Sequence, residues 1–337
     1  MRILLLGGSG LLSGAALRAF TAARHDVSVL TRGTRAVELP GVTQLRGDRR
    51  DADSLRDRLA GARFDFTVDF LAFGRTDVER LLGVPGFEPG RLVAISSGQV
   101  YLVTAAPEPP FREEAAERPL MPEPAAGTRD HDEWKYGMGK RAMEEALARA
   151  SAATGLEALA LRLPVVQGEA DRDGSRRLWA WLERMLDGSP VLLPEAGRQV
   201  VRFVHAADVA GALLALATIP SWPSEPALNL AQADEMPLRT FLERVAALAG
   251  ASPRFVAVDR DALTRAGLVD TCAPYWGRWC SRPDPARALA TLGVRMHGVD
   301  EYLPGVVRAH LAAPRPASHP GYSRRAEEIA LARTLAG

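Results

Sequence analysis

Two residues four positions apart carry the sharpest chemical signal in this chain. In Tyr136-Gly137-Met138-Gly139-Lys140 a phenol and an ammonium fall one turn apart, and so on one face of any helix that contains them. A neighbouring ammonium favours the phenolate and draws down a pKa that is normally about 10. Tyr136 is therefore a candidate general acid/base. Composition adds weight to its partner: of 42 basic residues only Lys135 and Lys140 are lysines, the other 40 being arginines. Gly137 and Gly139 cost helix stability, so the sequence predicts a close approach there, either of a cofactor or of another segment.

Two further clusters suggest partners for that pair. Ser96-Ser97-Gly98-Gln99-Val100-Tyr101 follows an apolar run from Leu92. A hydroxyl at the carboxyl end of a strand, in the crevice of an open parallel sheet, can meet substrate; the same hydroxyl can also cap a turn. Near the start, Leu6-Gly7-Gly8-Ser9-Gly10-Leu11-Leu12-Ser13-Gly14 lies between an apolar run and a helical stretch. A turn without Cβ atoms at a helix N-terminus admits a pyrophosphate to the backbone. After the second strand stands Thr31-Arg32-Gly33, with Arg35 close behind, where an acidic residue would bind the ribose of NAD. Arg32 can instead clamp a 2′-phosphate bidentately, which favours NADP over NAD, although it is also one surface arginine among 40. Asp48, in Gly47-Asp48-Arg49-Arg50-Asp51, is placed either to accept from an adenine amino group or to cap a helix, as Asp51 could equally.

These groups need a scaffold, and the apolar pattern predicts it. Runs at 3–6, 26–30, 42–45, 66–70, 92–96 and 158–163 alternate with helical stretches at 11–23, 52–59, 77–82 and 132–153. Continuous apolar strands separated by helices imply an α/β fold, a doubly wound parallel sheet of Rossmann type covered on both faces. The expected domains are a dinucleotide-binding domain over 1–170, which segments near 203–231 rejoin, and a smaller C-terminal substrate domain over 171–337. The proline-rich stretch 103–127 reads as an exposed loop or a lid, and the tail after 315 as loosely attached.

Composition excludes several classes. The 337 residues are 47% apolar with a net charge of +1, which argues against a nucleic-acid partner. Two cysteines, Cys272 and Cys280, cannot build a disulfide framework. The opening apolar run ends too soon at Gly7 for a signal or a membrane span, so a cytoplasmic protein without membrane contact is expected. Asp130-His131-Asp132 lacks a second histidine at ligand spacing, so no metal is expected.

Taken together, these pieces resemble the extended short-chain dehydrogenases/reductases, in their NAD-dependent epimerase/dehydratase branch. The glycine turn, Gly47-Asp48, Ser97 four residues before Tyr101, and Tyr136 with Lys140 occur in that family's order. Leu161-Arg162-Leu163-Pro164, Arg202-Phe203-Val204-His205 and Asp284-Pro285-Ala286-Arg287 look like its later motifs, so the resemblance covers about 1–311. It implies Tyr136 as acid/base, Lys140 as the group that lowers its pKa and holds the nicotinamide ribose, and Ser97 as the polariser of the reacting oxygen. It implies cofactor contacts at Gly7, Gly10, Leu11, Leu12, Thr31, Arg32, Asp48, Arg49, Phe70, Leu71, Ala72, Ser96, Leu163 and Pro164. Gln99, Tyr101, Gln167 and Arg202 are the implied substrate contacts, and a homodimer is the family's habit. The sequence departs from the pattern with Ser13 for a third glycine. It also has Gly98-Gln99 where sugar dehydratases carry an acidic pair, and Val165 and Gln167 where nucleotide-sugar enzymes often have Asn and Tyr. The expected activity is NADP(H)-dependent oxidation or reduction of a small organic substrate. The alternatives are a nucleotide-sugar epimerase and, in another class, a non-catalytic dinucleotide-sensing or RNA-associated protein.

Overall fold

A computed structural model describes residues 1–336 apart from 35, 36, 38, 272 and 273, so Arg35 and Cys272 lie outside the described residues. The chain forms two compact units. The first comprises Met1–Val166, Val204–Ala231 and Ser281–Met296; the second comprises Gln167–Phe203, Gln232–Cys280 and the residues from His297 onward. The segment Ser281–Met296, expected with the C-terminal domain, thus belongs with the first unit. One reason is that the Phe111 backbone bonds to both Arg282 and Asp284.

The first unit is built around β1 (Arg2–Leu6), β2 (Asp26–Thr31), β3 (Val42–Arg46), β4 (Phe66–Asp69), β5 (Arg91–Ser97) and β6 (Ala158–Leu163). With the strand Ala227–Asn229 they form one seven-stranded sheet in the order β3-β2-β1-β4-β5-β6-Ala227–Asn229. Every pairing in it is parallel. The helices are α1 (Leu11–Ala22), α2 (Ala52–Leu59), α3 (Arg75–Leu82), the single turn α4 (Gln99–Leu102), α5 (Arg129–Thr154) and a later helix, Ala206–Thr218. Alternate strand residues explain the two layers. Ile3, Leu5, Val27 and Val29 join one core with residues of α1 and Ala206–Thr218. Leu4, Leu6 and Leu30 join the other with residues of α2, α3 and α5. The strand order reverses between β1 and β4, so the loops after them flank the crevice where such sheets bind ligands.

The proline-rich stretch is not a free lid. Ala105 donates to Pro119 O and Met121 to Val103 O, and Phe111 is buried. Its ring stacks on Tyr101 at 4.9 Å.

In the second unit the strands Val191–Pro194 and Phe255–Val258 pair in parallel. The tail is not loose either. The final helix, Arg325–Ala336, packs on both of those strands. Glu328 on it meets Arg184 through two hydrogen bonds of 2.6 and 2.8 Å, both side chains being 1% exposed. Among the described residues no helix is long and apolar enough to cross a membrane. Glu328→Gln leaves the buried Arg184 cation without its carboxylate and is expected to cost about 3–5 kcal/mol. Urea denaturation of the full chain measures this, and a loss below about 1 kcal/mol contradicts a strongly coupled tail.

Candidate active site

Helix α5 carries the Tyr136/Lys140 pair and starts earlier than the sequence predicts. Thr128 is its N-cap, its hydroxyl accepting from His131 N at 3.2 Å, and Gly155 closes it in the left-handed conformation at φ 73°. The two interior glycines are explained by close packing. A Cβ at Gly137 would fall 2.6 Å from Val103 Cγ1 and 2.9 Å from Gln99 O; one at Gly139 would fall 3.0 Å from Phe73 O. The helix therefore lies against α4 and against the loop after β4.

That contact buries the lysine. The Lys140 ammonium donates to Ala72 O and Ile95 O, each at 2.7 Å, and keeps one N–H for a further acceptor. It is 5% exposed, and burial pulls its pKa down to about 8; Asp69, Glu144 and Asp77 oppose the fall and Arg49 adds to it. Its nitrogen lies 5.9 Å from the centre of the Tyr136 ring. The Phe73 ring meets Tyr136 edge-on at 5.3 Å, and Leu71 and Phe73 are among the few large apolar side chains left exposed.

Ser97 ends β5, half-buried, and its hydroxyl oxygen accepts from Gln99 N at 3.2 Å while its proton remains available to donate. Ser96, expected at the cofactor, faces elsewhere. Its hydroxyl donates to Glu144, which also holds Arg162 through bonds of 2.7 to 3.1 Å. Tyr101, expected at the substrate, is fully buried, and its hydroxyl donates to Asn229 at 2.6 Å and accepts from Arg162 at 2.9 Å. Burial pushes its pKa up to about 12, and its hydroxyl is engaged by these two interior partners. Gln99 is buried too, its amide donating to Glu133, one turn before Tyr136 on α5. No side chain fits at position 98, where a Cβ would lie 2.1 Å from Ser281 Oγ.

At the other end of the crevice Gly7 adopts φ 102°, which favours glycine. Ser9 and Gly10 are exposed, Leu11 and Leu12 half-buried, and no acidic residue occurs in the first turn of α1. Ser13, in the family's third-glycine position, accepts from Gly10 N at 3.1 Å and so closes the turn itself. The open backbone and the absence of carboxylates fit a pyrophosphate. Thr31 accepts from Gln44 at 2.9 Å, and Arg32 is exposed. Arg46, missed in the sequence, is paired with Thr31 in register. Its side chain lies across Gly33, where a Cβ would come within 2.7 Å of Nε. Asp48 Oδ1 accepts from Arg50 N at 2.9 Å, while Asp51 caps α2. Arg49, expected at the cofactor, instead turns its side chain into the interior, where it is 3% exposed and ion-paired with Asp69.

The model of the NAD dependent epimerase/dehydratase family matches residues 3–231. The chain belongs to that family. A relative from Streptomyces kanamyceticus, 2′-dehydrokanamycin reductase, is 31% identical over 249 residues, 73% of this chain and 66% of the relative. A UDP-glucose 4-epimerase of Thermotoga maritima shares the fold at TM-score 0.70 and 18% identity, over 92% of this chain and 98% of that one. A dTDP-glucose 4,6-dehydratase of Streptomyces venezuelae, solved with NAD, gives TM-score 0.67 and 21% identity, over 92% and 97%.

In this epimerase/dehydratase-family protein the remaining candidates are also accounted for. Phe70 is half-buried, and Ala72, Leu163 and Pro164 are buried; Leu163 O accepts from Gly98 N at 2.8 Å. Within the second unit Gln167 is fully buried and interacts with Tyr275, whose pKa burial raises strongly. Arg202 pairs with Glu235 at 3.2 Å. Gly137→Ala must push α5 off Val103 and Gln99. It is expected to lower the melting temperature by several degrees, on the order of 1–3 kcal/mol, and to reduce turnover, both measurable on one preparation. An unchanged melting temperature contradicts the close contact.

Proposed function

We propose that this protein is an NADP(H)-dependent reductase of a ketone on a small, amine-bearing organic molecule. The observation that carries the reading is Lys140, a buried ammonium fixed beside Tyr136 with one donor in reserve. The glycine turn Gly7–Gly10 with Leu11 and Leu12 would hold the pyrophosphate, Arg32 and Arg46 the 2′-phosphate, Asp48 the adenine, and Lys140 the nicotinamide ribose. When bound, the nicotinamide supplies or takes up the hydride. Tyr136 gives the carbonyl oxygen its proton as the alcohol forms, and Lys140 stabilises the phenolate left behind until solvent reprotonates it. Ser97 donates its hydroxyl hydrogen to the same oxygen and holds it in place.

Support for the direction and the substrate class comes from two sides. The relative from Streptomyces kanamyceticus is by name a 2′-dehydrokanamycin reductase. Between Val103 and Glu133, the segment leading into the Tyr136 helix, eight carboxylates outnumber three arginines; Arg287 meets Glu113 and Glu114 from outside it, and the balance that remains is still acidic, which suits a cationic substrate better than a nucleotide diphosphate. Arg202, the residue that would favour a diphosphate, already meets Glu235. An epimerase acting by transient oxidation is the second reading, favoured by the epimerase fold relative.

Tyr136→Phe is expected to lower kcat/KM about 10²- to 10⁴-fold on a ketone panel that includes oxidised aminoglycosides, with NADPH affinity changed less than about threefold. Retained activity contradicts the assignment. Arg32→Ala is expected to weaken NADPH binding about tenfold, the equivalent of about 1.4 kcal/mol, and to leave NADH binding unchanged. Equal losses for both cofactors contradict the 2′-phosphate clamp.

A further inference from the structure

The loop between β4 and α3 is held by an arrangement that stability alone does not demand. Its four successive amides, Leu71 to Gly74, are all taken by two carboxylates. Asp69 Oδ1 accepts from Leu71 N at 2.9 Å and Ala72 N at 2.8 Å. Asp77 Oδ2 accepts from Phe73 N at 2.7 Å and Gly74 N at 3.0 Å. One guanidinium bridges the two acids: Arg49 Nη2 pairs with Asp69 Oδ2, while Nη1 donates to Asp77 O at 2.9 Å and lies 3.5 Å from Asp77 Oδ1. Asp77 also caps α3, which explains its presence locally. Asp69 ends β4 and Arg49 follows β3, so neither belongs to that helix.

The loop so fixed touches both members of the reacting pair. Ala72 O accepts from Lys140, and Phe73 supports the Tyr136 ring. We infer that Asp69 and Arg49 act as a positioning pair for Lys140: they aim the Ala72 carbonyl at its ammonium and set the charge that surrounds it. This rests on Lys140 being the working lysine of the proposed reaction. The charged groups around the ammonium are Asp69 from β4, Asp77 from α3, Glu144 from its own helix, and Arg49. The Ile95 carbonyl of β5 and the Tyr136 ring complete its surroundings. A buried carboxylate favours the protonated lysine and the guanidinium opposes it, so removing one or the other moves the balance in opposite directions.

The chain's two lysines make the test direct. Protein labelled with 13C at lysine Cε gives two NMR signals, one from the exposed Lys135 as an internal reference and one from Lys140. Titration of the full-length, ligand-free protein then reads the Lys140 midpoint without any turnover, so the result stands apart from the fate of the proposed reaction. Asp69→Asn is expected to lower that midpoint by about one pH unit while the Lys135 midpoint stays in place. A folded Asp69→Asn protein with an unmoved Lys140 midpoint overturns the inference. If Asp69→Asn does not fold, Arg49→Met is read in the same way. Its expected shift is upward, and an unmoved or lowered midpoint overturns the inference.

Discussion

A primary ammonium cannot be buried without acceptors, and the first unit is organised around meeting that demand for Lys140. Its acceptors are main-chain carbonyls from two neighbouring strand ends, Ala72 after β4 and Ile95 within β5. Both must come within hydrogen-bond reach of one helix, so the Tyr136–Lys140 turn of α5 has to lie tightly against the sheet and the loop after β4. Gly137 and Gly139 let it do so. The same closeness lowers the lysine's pKa toward neutrality, where a charged and an uncharged form lie within reach of one another.

Beneath this pair runs a second set of buried charges, one turn further along the same face of α5. Glu144 receives Ser96 and Arg162; Arg162 reaches Tyr101 and Glu113 O; and Asn229 ties Tyr101 to Phe111 and Glu113. Each member is costly if left alone, and together they satisfy one another. Their effect is to anchor β5, β6 and the proline-rich segment to α5, so that the Ser97 hydroxyl at the end of β5 and the Tyr136 phenol on α5 are carried by one rigid body. The roles proposed for them, general acid and oxygen-holding hydroxyl, need that rigidity more than they need strength in any single bond.

Much of this was legible in the residues. Continuous apolar runs such as 3–6 and 158–161 have few uses other than strands buried on both faces, and they become parts of β1 and β6. The glycine turn and the Tyr136–Lys140 spacing were readable because local geometry alone gives them meaning. What escaped depends on contacts between distant positions. Register sets Arg46 opposite Thr31, and no composition or spacing reveals register. Arg49 was expected among the cofactor contacts because nothing local reveals its partner Asp69, which lies 20 residues away. Ser96 and Tyr101 carried hydroxyls in a promising motif, yet Glu144 and Asn229, far along the chain, turn those hydroxyls inward. Ser281–Met296 joins the first unit through backbone bonds to Phe111 that side-chain patterning does not encode.

The proposed function requires net reduction at this site, with the cofactor consumed. The most direct measurement follows a deuterium placed at the transferable C4 position of NADPH during turnover of an oxidised aminoglycoside. Net reduction puts one deuterium on the new carbinol carbon of each product molecule, with one NADPH oxidised for each. Product formed without label, while the dinucleotide stays bound and unchanged, would contradict it and point instead to an internal oxidation and return.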